Sequence, residues 1–118
     1  MIQPTIMTSV DPAQKVSCQE VFAPVVTLDR YSDFKSAIAR VNDSAYGLQA
    51  GVFTNNLADI FYAYKELEVG GVIINDASSY RVDHMPYGGV KESGMGREGV
   101  RYAMEEMTEM KLLGLNLS

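Results

Sequence analysis

Residues 85–99 constrain this chain more than any other stretch, because they concentrate glycine. Their sequence is Met-Pro-Tyr-Gly-Gly-Val-Lys-Glu-Ser-Gly-Met-Gly-Arg-Glu-Gly, which holds five of the ten glycines of the chain. Glycine is favoured where the backbone turns through positive φ or where another surface must come close. An amphipathic run begins near Arg97. The pattern predicts a long, shaped loop that docks onto a helix, and we call residues 85–99 the glycine-rich loop.

The same stretch contains Gly94, Gly96 and Gly99, which spell the G-x-G-x-x-G pattern of dinucleotide-binding turns. That motif needs a buried strand that runs directly into it, and an acidic residue about 20 positions later. Residues 87–93 do not read as a buried strand, and no second strand ending in a carboxylate follows at the right distance. We therefore interpret these glycines as part of a loop.

Composition narrows the class of protein. The chain has 118 residues, 47% of them hydrophobic and 21% charged, as is ordinary for one globular domain. A net charge of −5 argues against nonspecific nucleic-acid binding, and no apolar run is long enough to span a bilayer. No signal peptide is visible, and one cysteine permits no internal disulfide. We expect a cytoplasmic protein with no nucleic-acid or membrane partner and no metal.

Hydrophobic periodicity predicts an α/β fold. Strands are predicted at residues 2–7, 25–28, 49–54 and 72–75. Helices are predicted at residues 33–41, 57–68 and 97–107, the first of them capped by Ser32. Their predicted apolar faces include Phe34, Ala37, Ile38 and Val41 in the first helix, and Leu57, Ile60, Phe61, Tyr64 and Leu67 in the second. Alternating strands and helices imply right-handed crossovers and a mostly parallel sheet with flanking helices.

The last segment, residues 111–117, is predicted to be a strand with leucines on one side. A leucine-lined strand left without a neighbour would be an association hazard. We therefore expect this strand to pair with another chain or with another part of the same protein.

Two motifs carry a resemblance to the NAD(P)-dependent aldehyde dehydrogenase superfamily. The glycine-rich loop resembles the family's C-terminal signature, and Glu-Val-Phe-Ala-Pro-Val at residues 20–25 resembles a second family motif. The similarity runs from about residue 2 to residue 117. It implies that residues 1–108 are the C-terminal part of a catalytic domain, and that residues 109–118 are the tail strand that joins subunits into an oligomer.

The resemblance also implies a reaction whose central groups lie outside this chain. In the family, a cysteine thiolate attacks the aldehyde, hydride passes to NAD or NADP, and a general-base glutamate activates the water that releases the thioester. The family contexts of these groups, Gly-Gln-x-Cys and Glu-Leu-Gly-Gly, do not occur here, and Cys18 does not match the nucleophile. We therefore expect no catalytic residue in this chain, which would be inactive alone as the C-terminal piece of a longer enzyme.

The resemblance assigns four residues to a site. Glu20 matches the glutamate that hydrogen-bonds the nicotinamide ribose, and Phe22 matches a residue that packs near the nicotinamide. Ala23 stands where glycine is usual, so its methyl group narrows the approach of the cofactor. Tyr87 matches an aromatic residue near the substrate tunnel, and Arg81 falls at the tunnel mouth.

Arg81 bears on the substrate, because an apolar or aromatic group is common at this position in the family. A guanidinium can hold a carboxylate, phosphonate or phosphate with paired hydrogen bonds, so a small anionic aldehyde is implied. Residues 75–86 resemble family branches that act on lactaldehyde-like or phosphonoacetaldehyde-like substrates. The alternative is a surface ion pair between Arg81 and Asp76 or Asp83.

Two other functions compete with this one. Cys18 and His84, the one cysteine and the one histidine, would form a thiol-hydrolase dyad if they lay within hydrogen-bond reach. The chain could instead be a stand-alone module that docks on full-length subunits through its terminal strand. The sequence alone does not separate such a module from a piece of a longer enzyme.

Overall fold

The structure, a computed structural model, describes residues 1–117. Helices and strands follow one another in the order β1 Thr5–Thr8, α1 Lys15–Cys18, β2 Val25–Leu28, α2 Phe34–Asn42, β3 Tyr46–Gly47, β4 Gln49–Val52, α3 Leu57–Glu66, β5 Gly71–Ile74, β6 Val90–Lys91 and α4 Val100–Glu106. The predicted α/β class is confirmed. The short helix α1 and the short strands β3 and β6 were not predicted.

The strands form three two-stranded sheets. In the first, β1 and β2 run parallel, and in the second, β4 and β5 run parallel with Gln49 opposite Gly71. In the third, β3 pairs antiparallel with β6, which lies inside the glycine-rich loop. The predicted parallel pairing is confirmed for two of the three pairs, although the described strands do not join into one sheet.

Helices α2 and α3 both begin at a side-chain cap. The Asp33 carboxylate accepts a hydrogen bond from the Ser36 amide at 2.8 Å, and the Asn56 side chain accepts one from the Ala58 amide at 2.9 Å. The prediction that Ser32 caps α2 is wrong by one residue. Asp33 has the extended backbone of a cap residue, with φ −132° and ψ 128°, and its carboxylate reaches the third amide of the turn.

The core lies between α2, α3 and the β4–β5 sheet, and it is small. Its buried residues are Ile38, Val52, Ala63 and Leu67, packed against partly buried Phe34, Ala50, Tyr62, Val69, Val72 and Ile74. The predicted inner face of α3 is partly wrong. The face that packs on the core is centred on Ala63, which is fully buried and small enough to let the helix approach closely. Three residues predicted on that face, Leu57, Phe61 and Tyr64, are instead exposed.

The described chain is extended and has much open surface. Its radius of gyration is 19.0 Å, against about 13.5 Å for a compact domain of this length. Its accessible surface is 9816 Å², against about 6,300 Å² for a compact protein of the same mass. Many apolar side chains of β1, β2, α3 and α4 are therefore exposed, and other protein surfaces could pack against them.

The C-terminal helix α4 starts later than predicted. It begins at Val100 rather than Arg97, because Gly96 and Gly99 turn the chain with φ of 77° and 112°. After it, the described chain has no strand at residues 109–117, and the leucines of this segment are 72–93% exposed. The predicted pairing of the tail with another chain stays a prediction, and its last residue, Ser118, lies outside the described residues.

No helix in residues 1–117 is long and apolar enough to cross a bilayer.

Candidate substrate and cofactor site

The glycine-rich loop is held against the β4–β5 sheet by contact between main chains. A Cβ atom added to Gly70, in the turn before β5, would lie 1.6 Å from the carbonyl oxygen of Gly88. One added to Gly88 would lie 2.5 Å from the carbonyl oxygen of Gly96. Gly94, Gly96 and Gly99 all have positive φ, as a loop of this shape needs. The prediction of a shaped loop is confirmed, but its main chain docks on the turn before β5 rather than on a helix.

Lys91 ties the loop to the end of α2. Its Nζ atom donates to the carbonyl oxygens of Asn42 at 2.7 Å and Ser44 at 3.1 Å, and it lies 2.8 Å from the carboxylate of Glu68. A cation at these carbonyls is favoured by the negative end of the helix dipole. Lys91 itself has φ of 55°, so the chain reverses here.

The loop also closes on itself around Tyr87. The Tyr87 amide donates to the Glu98 carbonyl at 3.2 Å, and the Glu98 amide donates back to the Tyr87 carbonyl at 2.6 Å. Arg97 supports the turn by donating from Nη1 to the carbonyls of Gly89 at 2.9 Å and Gly96 at 2.7 Å. The backbone beside the Tyr87 ring is therefore fixed.

Arg81 lies on this fixed aromatic ring, so the two predicted substrate residues meet. The guanidinium carbon is 4.6 Å from the centre of the Tyr87 ring, and Nη2 donates to a Glu98 carboxylate oxygen at 2.9 Å. The ion pair predicted as the alternative thus exists, but with Glu98 rather than Asp76 or Asp83. No other described residue accepts a hydrogen bond from the guanidinium, so its remaining N–H groups are open to a ligand.

Residues 76–80, just before Arg81, are hydrogen-bonded to strand β4 by one side chain. Gln49 donates through Nε2 to the carbonyl of Ser78 at 2.8 Å and to that of Tyr80 at 2.7 Å. Sequence reasoning missed both Gln49 and Glu98. The available indications were a polar residue in an otherwise apolar strand, and an acid at the end of the glycine-rich loop.

The two predicted cofactor residues lie together between α1 and β2. Glu20 is exposed and lines an open cleft of about 540 Å³ with Tyr46, Gln49 and Ser93 among others. Its carboxylate makes no ion pair or hydrogen bond with any residue that the structure describes. Phe22 is 94% exposed, so its ring packs on almost nothing within the chain.

The competing thiol-hydrolase arrangement finds no support in the geometry. Cys18 is exposed, and its Sγ atom contacts the Ala13 carbonyl oxygen at 3.8 Å. His84 lies in a turn ahead of the glycine-rich loop, and no hydrogen bond joins it to Cys18 in residues 1–117. Those residues also hold no group of three or more His, Cys, Asp or Glu side chains placed to bind a metal ion.

Known proteins are similar in sequence to most of this chain. The chain is 59% identical over 114 residues to 3-sulfolactaldehyde dehydrogenase from Priestia megaterium, covering 97% of this chain and 24% of that protein. It is 46% identical over 97 residues to lactaldehyde dehydrogenase from Methanococcus aeolicus, covering 82% of this chain and 21% of that protein. The chain thus spans about a quarter of the length of its relatives.

Solved structures agree. Aldehyde dehydrogenase 21 from Physcomitrella patens, in complex with the reaction product succinate, is 50% identical, with a TM-score of 0.93 over 96% of this chain and 24% of that one. Glyceraldehyde-3-phosphate dehydrogenase GapN from Methanocaldococcus jannaschii, complexed with NADP, is 46% identical, with a TM-score of 0.84 over 92% of this chain and 23% of that one.

The family model described as the aldehyde dehydrogenase family matches residues 1–113. That range includes the two motifs on which the resemblance rests, which are residues 20–25 and the glycine-rich loop. It also includes all four predicted site residues. NAD or NADP, the cofactor that the resemblance implies, is the cofactor of this family. The chain belongs to the aldehyde dehydrogenase family.

Proposed function

We propose that residues 1–108 supply the C-terminal part of the catalytic domain of a longer, cytoplasmic, NAD(P)-dependent aldehyde dehydrogenase, and that this enzyme oxidises a small anionic aldehyde to its carboxylic acid. Family membership over residues 1–113 supports the activity. The observation that carries the substrate class is Arg81, whose guanidinium lies 4.6 Å above the centre of the Tyr87 ring with N–H groups left open. The one cysteine, which cannot form an internal disulfide, supports a reducing compartment.

The geometry at Arg81 suits recognition of an anion. A guanidinium held over an aromatic ring can still offer N–H groups to a carboxylate or sulfonate, which accepts paired, charge-assisted hydrogen bonds. Glu98 occupies only Nη2 of the guanidinium. Two of the similar proteins point the same way, since one is named for 3-sulfolactaldehyde and one was solved with succinate, and both compounds are anionic. The lactaldehyde dehydrogenase relative, by contrast, is named for an uncharged aldehyde.

Glu20 and Phe22 fit the dinucleotide. The Glu20 carboxylate is exposed without an ion pair in the described chain, so both oxygens can accept hydrogen bonds from vicinal ribose hydroxyls. The exposed Phe22 ring offers an apolar face to a flat ring system. When bound, NAD or NADP would accept the hydride from the substrate. In our proposal, Glu20 and Phe22 orient it, while the thiol nucleophile and general base come from outside this chain.

A chimera tests this proposal. The whole 118-residue chain would replace the matching segment of the Priestia megaterium enzyme, to which it is 59% identical over 114 residues. We expect NAD(P)-dependent oxidation of sulfolactaldehyde by the chimera, and none by the 118-residue chain alone at any concentration. NAD(P) reduction by the isolated chain would contradict the assignment of the catalytic groups to the rest of the enzyme.

The substitution Arg81→Ala in this chimera tests the substrate class. Loss of a charge-assisted hydrogen bond, worth about 1.5–3 kcal/mol, should lower kcat/KM for the anionic aldehyde by roughly 10- to 100-fold and leave that for neutral lactaldehyde unchanged. Arg101→Ala is the matched control, because Arg101 is an exposed arginine with its own acidic partner, Glu105, whose hydrogen bond raises the pKa of the guanidinium. Equal losses on both aldehydes would refute the anion-binding role.

We propose a second, separable role for the tail. The leucines at positions 112, 113, 115 and 117 are 93, 77, 72 and 90% exposed, which favours pairing of residues 109–118 with another subunit, whether in a homo-oligomer or on a full-length enzyme. Light scattering of the chain mixed with the Priestia enzyme would show a complex, and deletion of residues 111–118 would abolish it. Deletion of residues 1–4 is the control. A complex that survives the tail deletion excludes the tail as the docking element.

A further inference from the structure

The segment before Arg81 depends on strand β4 for its position. Residues 75–80 are all exposed and belong to no helix or strand. In the described chain, the hydrogen bonds that reach residues 76–80 from outside the segment are the two donated by Gln49, to the carbonyls of Ser78 and Tyr80. The Tyr80 carbonyl belongs to the peptide unit that joins Tyr80 to Arg81. Both N–H donors of the Gln49 amide are thus used to hold this stretch.

Gly71 makes room for the Gln49 side chain. The two residues are register partners across the parallel β4–β5 pair. A Cβ atom added to Gly71 would lie 2.8 Å from Gln49 Oε1 and 3.3 Å from its Cγ, which shows that the side chain lies across the face of the glycine. The absence of a side chain at position 71 therefore lets Gln49 reach along the sheet toward the Arg81 segment.

Arg81 and Tyr87, which must meet to bind an anion, are held in place by different hydrogen bonds. Tyr87 is held by main-chain hydrogen bonds to Glu98, whereas the backbone next to Arg81 is held by the Gln49 amide. Without that amide, residues 76–80 would keep the ion pair of Arg81 to Glu98 and their packing on Gly51, but would lose their hydrogen bonds to the sheet. The guanidinium would then occupy its place over Tyr87 for a smaller fraction of the time, and displacements near 1 Å are enough to weaken a positioned contact.

We infer that Gln49 is a positioning residue for Arg81, and that the Gln49–Gly71 pair sets the preference of the enzyme for anionic aldehydes without touching the reacting carbon. This inference rests on the proposed function. It predicts a selective effect on the binding of charged substrates, because both hydrogen bonds that the Gln49 amide donates go to the segment before Arg81.

The test uses the chimera with Gln49→Met, which keeps the length of the side chain and removes both donors. We expect KM for sulfolactaldehyde to rise about tenfold, the loss typical of one to two neutral hydrogen bonds, with kcat and all constants for lactaldehyde nearly unchanged. Gln3→Met, the same exchange at an exposed position, is the control. Gly71→Ala should reproduce the selective rise in KM by displacing Gln49. Since both changes act on one contact, the double variant should be little worse than either single one.

The possible outcomes test the proposed substrate class and the positioning role of Gln49 separately. If the chimera shows no preference for the anionic aldehyde, or Arg81→Ala does not remove that preference, the proposed substrate class fails. If Arg81→Ala removes the preference while Gln49→Met leaves KM for sulfolactaldehyde unchanged, the positioning role alone is refuted. An equal loss of kcat on both aldehydes in Gln49→Met would also refute it, because that pattern reports a general structural role.

Discussion

Gly70 is the position where a single added methyl group should separate the glycine-rich loop from the rest of the fold. In Gly70→Ala the new Cβ would lie 1.6 Å from the carbonyl oxygen of Gly88, and 3.0 Å from that of Leu48. Real Cβ atoms essentially never come closer than 3.0 Å to such an atom, so the two main chains must part by about 1.4 Å. Because backbone lies on both sides of the contact, no change of rotamer relieves it.

The cost should lie at the upper end of the range for overpacking, about 3 kcal/mol. At roughly 2 °C per kcal/mol for a large domain, the melting temperature of the chimera should fall by about 6 °C. Tyr87 precedes Gly88 directly, so the same displacement should disturb its contact with Arg81 and lower kcat/KM for sulfolactaldehyde more than for lactaldehyde.

Gly114→Ala is the matched control for this experiment. Within this chain, Gly114 has no atom within 4 Å of an added Cβ and no positive φ, so the same chemical change there should cost no packing energy in the chain and leave specificity unaltered. Thermal melting followed by circular dichroism, together with kinetics on both aldehydes, supplies the readout. Melting temperatures within about 1 °C of each other for the two variants would refute the reasoning, since the predicted cost is about 3 kcal/mol at one site and none at the other.

Two further predictions concern the cap of α2 and the exposed ring of Phe22. Asp33→Ala should destabilise the chimera by about 1 kcal/mol through loss of the α2 cap, and Asp33→Ser should restore most of that stability. Identical melting temperatures for the unmodified chimera and both variants would contradict the assignment of the cap. Phe22→Ala should leave the melting temperature of the isolated chain unchanged, because the ring is 94% exposed there. In the chimera, the same change should weaken NAD(P) binding about tenfold in a fluorescence titration. A Phe22→Ala protein with lower stability and normal cofactor affinity would show that Phe22 serves packing and not cofactor binding.

Periodicity located the longer helices and the strands β2 and β5 well, because it reports which side chains are buried, but it also predicted a strand at residues 111–117 that the described chain does not form. Strand β2 was predicted with its observed bounds, 25–28, and β5 was misplaced by one residue. The inner face of α3 was harder, since apolar residues surround that helix and the packing partner selects one of several faces. The buried face centres on Ala63, a residue whose small size matters only once its neighbours are known.

The sequence offered candidate residues for the site but not their arrangement. The resemblance named Arg81 and Tyr87, and the structure places one over the other. It did not identify Glu98 as the partner of Arg81, because Asp76 and Asp83 are nearer in sequence and only the closed path of the glycine-rich loop brings position 98 to the guanidinium. Cross-strand neighbours such as Gln49 and Gly71 depend on strand register, which local sequence does not specify.

The extended shape of the chain has a practical consequence for any measurement of its assembly. A radius of gyration of 19.0 Å is that of a compact globule of about 290 residues, roughly two and a half times the actual length. Gel filtration calibrated with compact standards would therefore report a dimer or trimer for a single 13.0 kDa chain. Elution volume alone would mimic self-association, whereas sedimentation equilibrium, which depends on mass and not on shape, would separate the two.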